Sequence, residues 1–212
     1  MRVYAESNFV LEIALEQEQH RACEELLQLA ANKAIELVLP AFALLEPNHT
    51  LVTRRIDGEE LYRQLHAQTK QLERTASIAA NVSRLREAVD LVVPRAAQDA
   101  ARRFLEARQM LLDVARMIPL GSSELRNAAT LAVEFGLKLP DAVMLASVLA
   151  DAAMKPSPSM FLNRNTHDFN DPDVKRRLEQ MSCDLVGGFD GGLARVRHAL
   201  AKAETPRPPS GP

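Results

Sequence analysis

Four oxygen-bearing side chains follow apolar runs at widely separated points of the chain: Glu6, Glu46, Asp141 and Asn165. Carboxylates that converge on one point repel one another unless a cation lies among them. Mg²⁺ or Mn²⁺ is the usual ion in a partly hydrated site made only of oxygen ligands. Together with substrate phosphates, such an ion lowers the pKa of a bound water and stabilises the leaving oxygen of an in-line displacement. These residue types suggest phosphodiester hydrolysis, provided that the fold brings them together.

The elements before these side chains must form one parallel sheet if the side chains are to meet. Two β-rich apolar runs, residues 3–5 and 35–39, predict buried strands, and a third run at 160–162 precedes Asn165. Ligands of open α/β sheets bind outside the carboxyl ends of the strands. We therefore expect all four side chains on one rim of the sheet.

Two of the acids fall at predicted helix starts. Pro47 is tolerable only near the beginning of a helix, so that helix begins at about Ala43 and has Glu46 in its first turn. Pro140 likewise suits a first helical turn, which places Asp141 at a helix N-terminus. An acid at such a position gains about 0.3 to 1 kcal/mol from the helix dipole without any metal. A structural role therefore stays open for both acids.

Five further side chains near the rim each have two interpretations. Asn8 either caps the first helix or orients the site, and Arg164 either steadies a phosphate or pairs with an acid of the rim. Glu12 lies one turn beyond Asn8, where an exposed helical glutamate is the ordinary expectation and contact with the metal through a water is the alternative. His167 and Asp168 follow in the same loop as Arg164. His167 is a weak candidate for a general base, and Asp168 is expected to cap the turn rather than to bind metal.

Composition excludes several classes of protein. With 47% hydrophobic and 25% charged residues among 212, the chain can bury a core and is not a disordered protein. A net charge of −2 and only 4% aromatic residues argue against a surface wholly devoted to nucleic acid or to base stacking. Cys23 and Cys183 have neither zinc-ligand spacing nor disulfide density. Without a leader or an apolar run of about 20 residues, we expect a cytoplasmic protein with no membrane contact.

The middle of the chain, residues 53–117, differs from the rest in its charge and in the spacing of its apolar residues. It holds twelve Lys and Arg against nine Asp and Glu, so it carries +3 while the remainder carries −5. This asymmetry indicates either contact with a polyanion or an ordinary solvated helical surface. Apolar residues recur there with heptad-like spacing, which predicts an inserted helical hairpin, and Pro94 is a natural start for a further helix. These residues are Leu61, Leu65, Leu72, Ile78, Val82, Leu85, Val89 and Val92.

The remaining elements complete an alternation of strands and helices. A fourth strand is predicted at 183–186 and a last helix at 189–203, while the proline-rich residues 204–212 are expected to be a disordered tail. This order is typical of an α/β domain, here residues 1–203, with a mainly parallel sheet of about four strands. No glycine-rich phosphate-binding loop accompanies the strands, so a nucleotide cofactor is poorly supported.

Four motifs in this order resemble those of PIN-domain nucleases. Residues 3–11, Val-Tyr-Ala-Glu-Ser-Asn-Phe-Val-Leu, resemble the family's opening strand and its Asp-Thr/Ser-Asn motif. Residues 39–46 are similar to the second acidic motif, and residues 139–146, Leu-Pro-Asp-Ala-Val-Met-Leu-Ala, match the third. Residues 162–169 are close to the Thr-Arg-Asn-x-x-Asp-Phe variant of the fourth. The resemblance does not extend to the predicted hairpin or to the tail.

This resemblance implies a three-layer α/β/α PIN-like fold and a metal-dependent endoribonuclease that uses Mg²⁺ or Mn²⁺. Relatives include the toxins of bacterial toxin–antitoxin pairs, so RNA as substrate, an antitoxin partner and a homodimer are implied as well. Glu6, Glu46 and Asp141 correspond to the catalytic, metal-binding acids, Asn8 to the orienting residue and Asn165 to the fourth position. The chain departs from the family in having Glu6 and Asn165 where Asp is customary.

These two departures keep a second function open. A divalent ion binds more weakly when there is less charge around it. The alternative is a non-catalytic PIN-like module whose acidic cluster no longer retains metal, and whose insertion binds a protein partner or self-associates. An aspartyl-phosphate phosphatase is disfavoured, because the first strand ends in Glu-Ser-Asn and offers no Asp nucleophile.

Overall fold

Five short strands form one parallel sheet in the computed structural model, which describes residues 1–165, 169 and 171–204. The strands are β1 Arg2–Ala5, β2 Glu36–Pro40, β3 Arg116–Ile118, β4 Ser159–Asn163 and β5 Cys183–Gly187. Their order across the sheet is β3-β2-β1-β4-β5, so β1 is central, with Val3 opposite Leu37 on one side and Met160 on the other. The predicted α/β class and parallel sheet are confirmed, with five strands instead of about four.

Helices pack against both faces of this sheet. They are α1 Ser7–Leu15, α2 His20–Ala31, α3 Phe42–Leu72, α4 Ala79–Val114, α5 Ser122–Phe135, α6 Leu139–Met154, α7 Pro172–Glu179 and α8 Phe189–Glu204. Side chains alternate across a strand, so Val3 and Ala5 join one apolar cluster while Tyr4 joins the other. Both clusters are closely packed, which explains why the strands read as short continuous apolar runs.

Local sequence signals determine where the helices that border the carboxyl end of the sheet begin. Glu6 has extended backbone and is the N-cap of α1. In α6, Pro140 lies in the first turn, as predicted, and Asp141 follows it. Helix α3 begins at Phe42, one residue before the predicted start, so Pro47 falls at its sixth position. The prediction that Glu46 lies in the first turn is wrong, because Glu46 is the fifth residue of this helix.

The predicted insertion is a hairpin of two long helices, α3 with 31 residues and α4 with 36. The prediction that Pro94 starts a helix is wrong, because Pro94 lies inside α4. Only the base of α4 joins the main apolar cluster, through Phe104, Ala107 and Leu111. The hairpin ends before residue 117, because Met117 belongs to β3.

None of the helices in the described ranges is long and apolar enough to cross a membrane. Of the predicted disordered tail, Glu204 is the last residue of α8, and the rest lies outside the described residues.

Candidate functional site

Glu6 lies where β1 meets α1, and its side chain is held entirely by uncharged donors in the described structure. The Nδ2 atom of Asn8 donates to both carboxylate oxygens, at 2.9 and 3.1 Å. The backbone N–H of Arg164 donates to Oε1 at 2.8 Å. Glu6 is only 5% exposed, so this carboxylate is buried without a cationic side chain among its hydrogen-bond partners.

Burial raises the pKa of Glu6 to about 7. Hydrogen bonds from Asn8 and from the backbone of Arg164 lower this pKa, while the negative charge of Asp141 raises it further. The carboxyl group is therefore close to half protonated at neutral pH. A nearby cation would favour its ionised form, because opposite charge offsets the cost of burying a carboxylate.

Glu46 is tied to the same rim through Ser7. The Ser7 hydroxyl donates a short hydrogen bond to Oε2 of Glu46. Because Ser7 is the residue after Glu6, this contact brings the start of α3 beside the end of β1. Glu46 is thus next to Glu6 along the rim, but its carboxylate is turned toward a hydroxyl group.

Asp141 and Asn165 form the other side of the rim. The Nδ2 atom of Asn165 donates to Oδ1 of Asp141 at 3.3 Å, and the Asn165 backbone N–H donates to Oδ1 of Asn163 at 2.6 Å. The influence of Asp141 on the pKa of Glu6 places the two carboxylates within electrostatic reach of each other. The structure therefore brings together Glu6, Asp141 and Asn165, with Glu46 joined through Ser7.

Arg164 points its guanidinium group away from this rim toward the end of α1 and the residues that follow. It forms an ion pair with Glu12, a second with Glu18 at 2.5 Å, and a hydrogen bond to Gln17 at 3.4 Å. Its backbone N–H, rather than its charge, reaches Glu6. Arg164 thus anchors the strand end that carries Asn165.

The expectation that Glu12 is exposed is wrong, because its side chain is fully buried. Its Oε2 atom accepts a hydrogen bond from the backbone N–H of Gln19 at 2.7 Å, and the carboxylate pairs with Arg164. A sequence signal for this burial exists: Glu12 is the only charged residue in the otherwise apolar stretch 9–15. His167 and Asp168 lie outside the described residues.

The described residues contain no group of three or more His, Cys, Asp or Glu positioned to hold a metal ion. The side-chain directions explain this, because Glu6 is turned to Asn8 and Glu46 to Ser7. The donor types, carboxylates and amide oxygens, fit a hard divalent cation. Glu6 and Glu46 would have to rotate before they could share one ion with Asp141.

A second polar cluster lies at the opposite end of the sheet and was missed in the sequence. Arg116 forms two hydrogen bonds of 2.7 Å with the carboxylate of Asp151, which also accepts one from the Tyr4 hydroxyl at 2.8 Å. Glu36 accepts from Arg116 at 2.7 Å and from Arg2 at 3.1 Å. We call these five residues the amino-end cluster.

Charge pairing inverts the effect of burial in the amino-end cluster. Burial alone would raise the pKa of Asp151, but hydrogen bonds from Arg116 and Tyr4 and the charges of the arginines hold it below its usual value. The pKa of Glu36 is lowered against burial in the same way, by Arg116 and Arg2. A sequence signal was present, because Arg2, Glu36 and Arg116 each begin a strand.

The surface depressions and the candidate catalytic groups lie at different ends of the sheet. Two open depressions of about 390 and 380 Å³ border Met1 and Glu36 at the amino end. Glu36 there is already paired with Arg2 and Arg116, so chemistry makes the carboxyl rim the better candidate site.

Ion pairing also reduces the positive charge of the hairpin. Six of the eleven cations between residues 53 and 114 form ion pairs with acids of the described residues: Arg55, Arg63, Arg86, Arg95, Arg102 and Arg103. A polyanion bound to the hairpin would have to compete with these acids.

A scan against models of protein families gives no match to this chain, and a search of curated proteins gives none either.

Proposed function

We propose that this protein is a metal-dependent phosphodiester hydrolase that cleaves RNA internally, with Mg²⁺ or Mn²⁺ held by Glu6, Glu46 and Asp141. The observation that carries the proposal is the buried carboxylate of Glu6, which has a pKa of about 7, uncharged donors and a second carboxylate in electrostatic reach. A structural acid at this depth is normally paired with a cation, as Asp151 is. The likeness of four motifs to PIN-domain nucleases supports RNA as the substrate.

The chain's own residues have distinct tasks under this proposal. Asn8 and the backbone N–H of Arg164 hold the Glu6 carboxylate in one direction, and the Ser7 hydroxyl does so for Glu46. Asn165 restrains Asp141. A bound divalent cation would offset the charge that develops on a phosphodiester and lower the pKa of the attacking water.

The test is cleavage of a diverse RNA pool in the presence of Mn²⁺. Wild-type protein is expected to cleave some of these RNAs, and Asp141→Asn to lose at least about 100-fold of that activity, because it removes a charge from the site. Asp173→Asn is a matched control, since Asp173 is also an acid that directly follows a proline in the first turn of a helix. It is expected to cleave as wild type does.

Two results would contradict the proposal. One is an RNA pool that stays intact with wild-type protein across Mn²⁺ and Mg²⁺ concentrations. The other is equal cleavage by wild type and Asp141→Asn, which would indicate a contaminating nuclease.

A further inference from the structure

Most of the apolar heptad residues of the hairpin are not buried between its two helices, although Val82 is buried. Five of them are substantially exposed: Leu61 at 51%, Leu72 at 45%, Ile78 at 37%, Leu85 at 50% and Val92 at 60%. Large apolar side chains scattered singly on a surface need no explanation, but a regular row of them marks an interaction surface.

Polar side chains contribute to the contact between α3 and α4. The Tyr62 hydroxyl and the His66 ring each lie 2.9 Å from Oδ1 of Asp90, and Glu73 pairs with Arg86 at 2.8 Å. These contacts define the direction in which each helix faces the other.

Helix geometry places the exposed heptad residues of both helices on one side of the hairpin. Successive residues are rotated by about 100°, so Leu61 and Leu72 lie roughly 90° from the side of α3 that faces α4. Leu85 and Val92 lie roughly 90° from the side of α4 that faces α3. When each helix is viewed along its own axis from the N-terminus, the two rotations have the same direction. Because the two helices are antiparallel, equal rotations turn both rows to the same side.

This side of the hairpin also has no charged residues over most of its length. On α3 it presents Leu61, Leu65, Gln68 and Leu72, and on α4 it presents Ile78, Asn81, Leu85, Ala88, Val89 and Val92. The ion pairs Arg55–Glu59 and Arg63–Glu60 lie on other sides of α3. We call this uncharged surface the apolar face.

We infer that a second copy of this chain covers the apolar face, so that two hairpins form a four-helix bundle. Two antiparallel helices whose heptad rows are turned to one side are half of such a bundle. A two-fold contact sets a surface against its own copy, and an uncharged surface then brings no like charges together. A charged partner would find no complementary charge there.

The size of the apolar face suits a weak contact. At about 1.5 Å per residue, its row on α3 extends roughly 17 Å and its row on α4 roughly 21 Å, and two adjacent helices are about 20 Å wide. Two copies would then bury on the order of 800 Å², which is below the range of stable interfaces and suits weak, reversible association. We therefore expect a dimer that dissociates on dilution. This inference does not depend on the proposed nuclease activity.

Sedimentation velocity of the full chain, at concentrations from about 1 to 100 µM, tests the inference. Wild type is expected to shift from monomer to dimer as concentration rises. Leu61→Glu and Leu85→Glu are each expected to stay monomeric, because a buried, unpaired carboxylate opposes association. Ile56→Glu is the matched control: Ile56 is on the same helix and 53% exposed, but it lies on the opposite side, so this variant should dimerise like wild type.

Circular dichroism of each variant would show that its helices are intact, as expected for changes at exposed sites. A wild-type protein that stays monomeric over the whole range would overturn the inference. So would a dimer that persists in both Leu61→Glu and Leu85→Glu, or one that Ile56→Glu disrupts equally.

Discussion

Both ends of the sheet bury a carboxylate, but the two carboxylates have different hydrogen-bond partners. At the amino end, Asp151 is 2% exposed and lies between the guanidinium group of Arg116 and the hydroxyl of Tyr4. At the carboxyl end, Glu6 is 5% exposed and accepts hydrogen bonds from an amide side chain and a backbone N–H. Protein cations lower the pKa of Asp151, whereas the pKa of Glu6 is raised to about 7.

The contrast separates a structural cluster from a candidate functional one. The amino-end cluster supplies its own cations, so it needs nothing from solution and joins strand starts to α6. Glu6 stays partly protonated unless a cation is supplied from outside the chain. This difference can be measured through the free energy of unfolding, which does not require the RNA substrate to be known.

The largest expected effect is at the amino end. Asp151→Ala should lower the free energy of unfolding by about 3 to 5 kcal/mol at pH 7, because it leaves partly buried Arg116 without its main partner. The matched control is Asp184→Ala, which removes an exposed acid 3.8 Å from Arg195 and should cost less than about 1 kcal/mol. Urea denaturation measures both, and equal costs would mean that the amino-end cluster does not stabilise the fold.

The pH dependence of that effect has a defined sign. The pKa of Asp151 is lower in the folded protein than in the unfolded chain, so its contribution is present above the unfolded value and is lost as pH falls through the folded one. The difference between wild type and Asp151→Ala should therefore shrink below about pH 4.

At the carboxyl end, a substitution should stabilise the protein. In the absence of divalent cations, Glu6→Gln is expected to raise the free energy of unfolding by on the order of 2 to 3 kcal/mol at pH 8. The pKa of Glu6 rises from 4.5 to about 7 on folding, so wild type loses stability as pH rises between these values. The gain from Glu6→Gln should vanish near pH 4.5, and a variant less stable than wild type at pH 8 would refute this account of Glu6.

The smallest expected effect on stability is at Glu46. Glu46→Gln should change the free energy of unfolding by less than about 1 kcal/mol, because an amide oxygen can still accept from the Ser7 hydroxyl. The same substitution should weaken Mn²⁺ binding, since it removes a charge from the rim. A large loss of stability without any change in Mn²⁺ binding would instead assign Glu46 to the structure alone.

The sequence predicted the elements that depend on local pattern. Strands β1, β2, β4 and β5 follow from apolar runs, and the helix that begins near Pro140 follows from the position of that proline. Strand β3 was missed, because its three residues directly follow a long helix and are too few to show the apolar pattern of a strand. The sequence also indicated which acids could share one rim, since parallel strands end on the same edge.

Side-chain pairing across the fold could not be predicted in the same way. Arg116 and Asp151 are 35 residues apart, and Arg164 and Glu18 are 146 apart, so no local spacing connects them. The heptad rows of the hairpin were visible in the sequence, but spacing alone does not tell which side of a helix meets its neighbour. The pairing of Tyr62 and His66 with Asp90 shows which sides of the helices meet, and the exposure of the heptad rows shows that the described residues leave the apolar face uncovered.

Calorimetric titration of Mn²⁺ into the metal-free protein, at pH 6 and at pH 8, measures whether the carboxyl rim binds a divalent cation. We expect saturable binding that is tighter at pH 8, because Glu6 must lose its proton, whose pKa is about 7, before it can hold a cation. Binding should be lost in Glu6→Gln and in Asp141→Asn. Absence of Mn²⁺ binding to wild type at pH 8, or binding that Glu6→Gln leaves unchanged, would contradict the claim that this rim is a metal site.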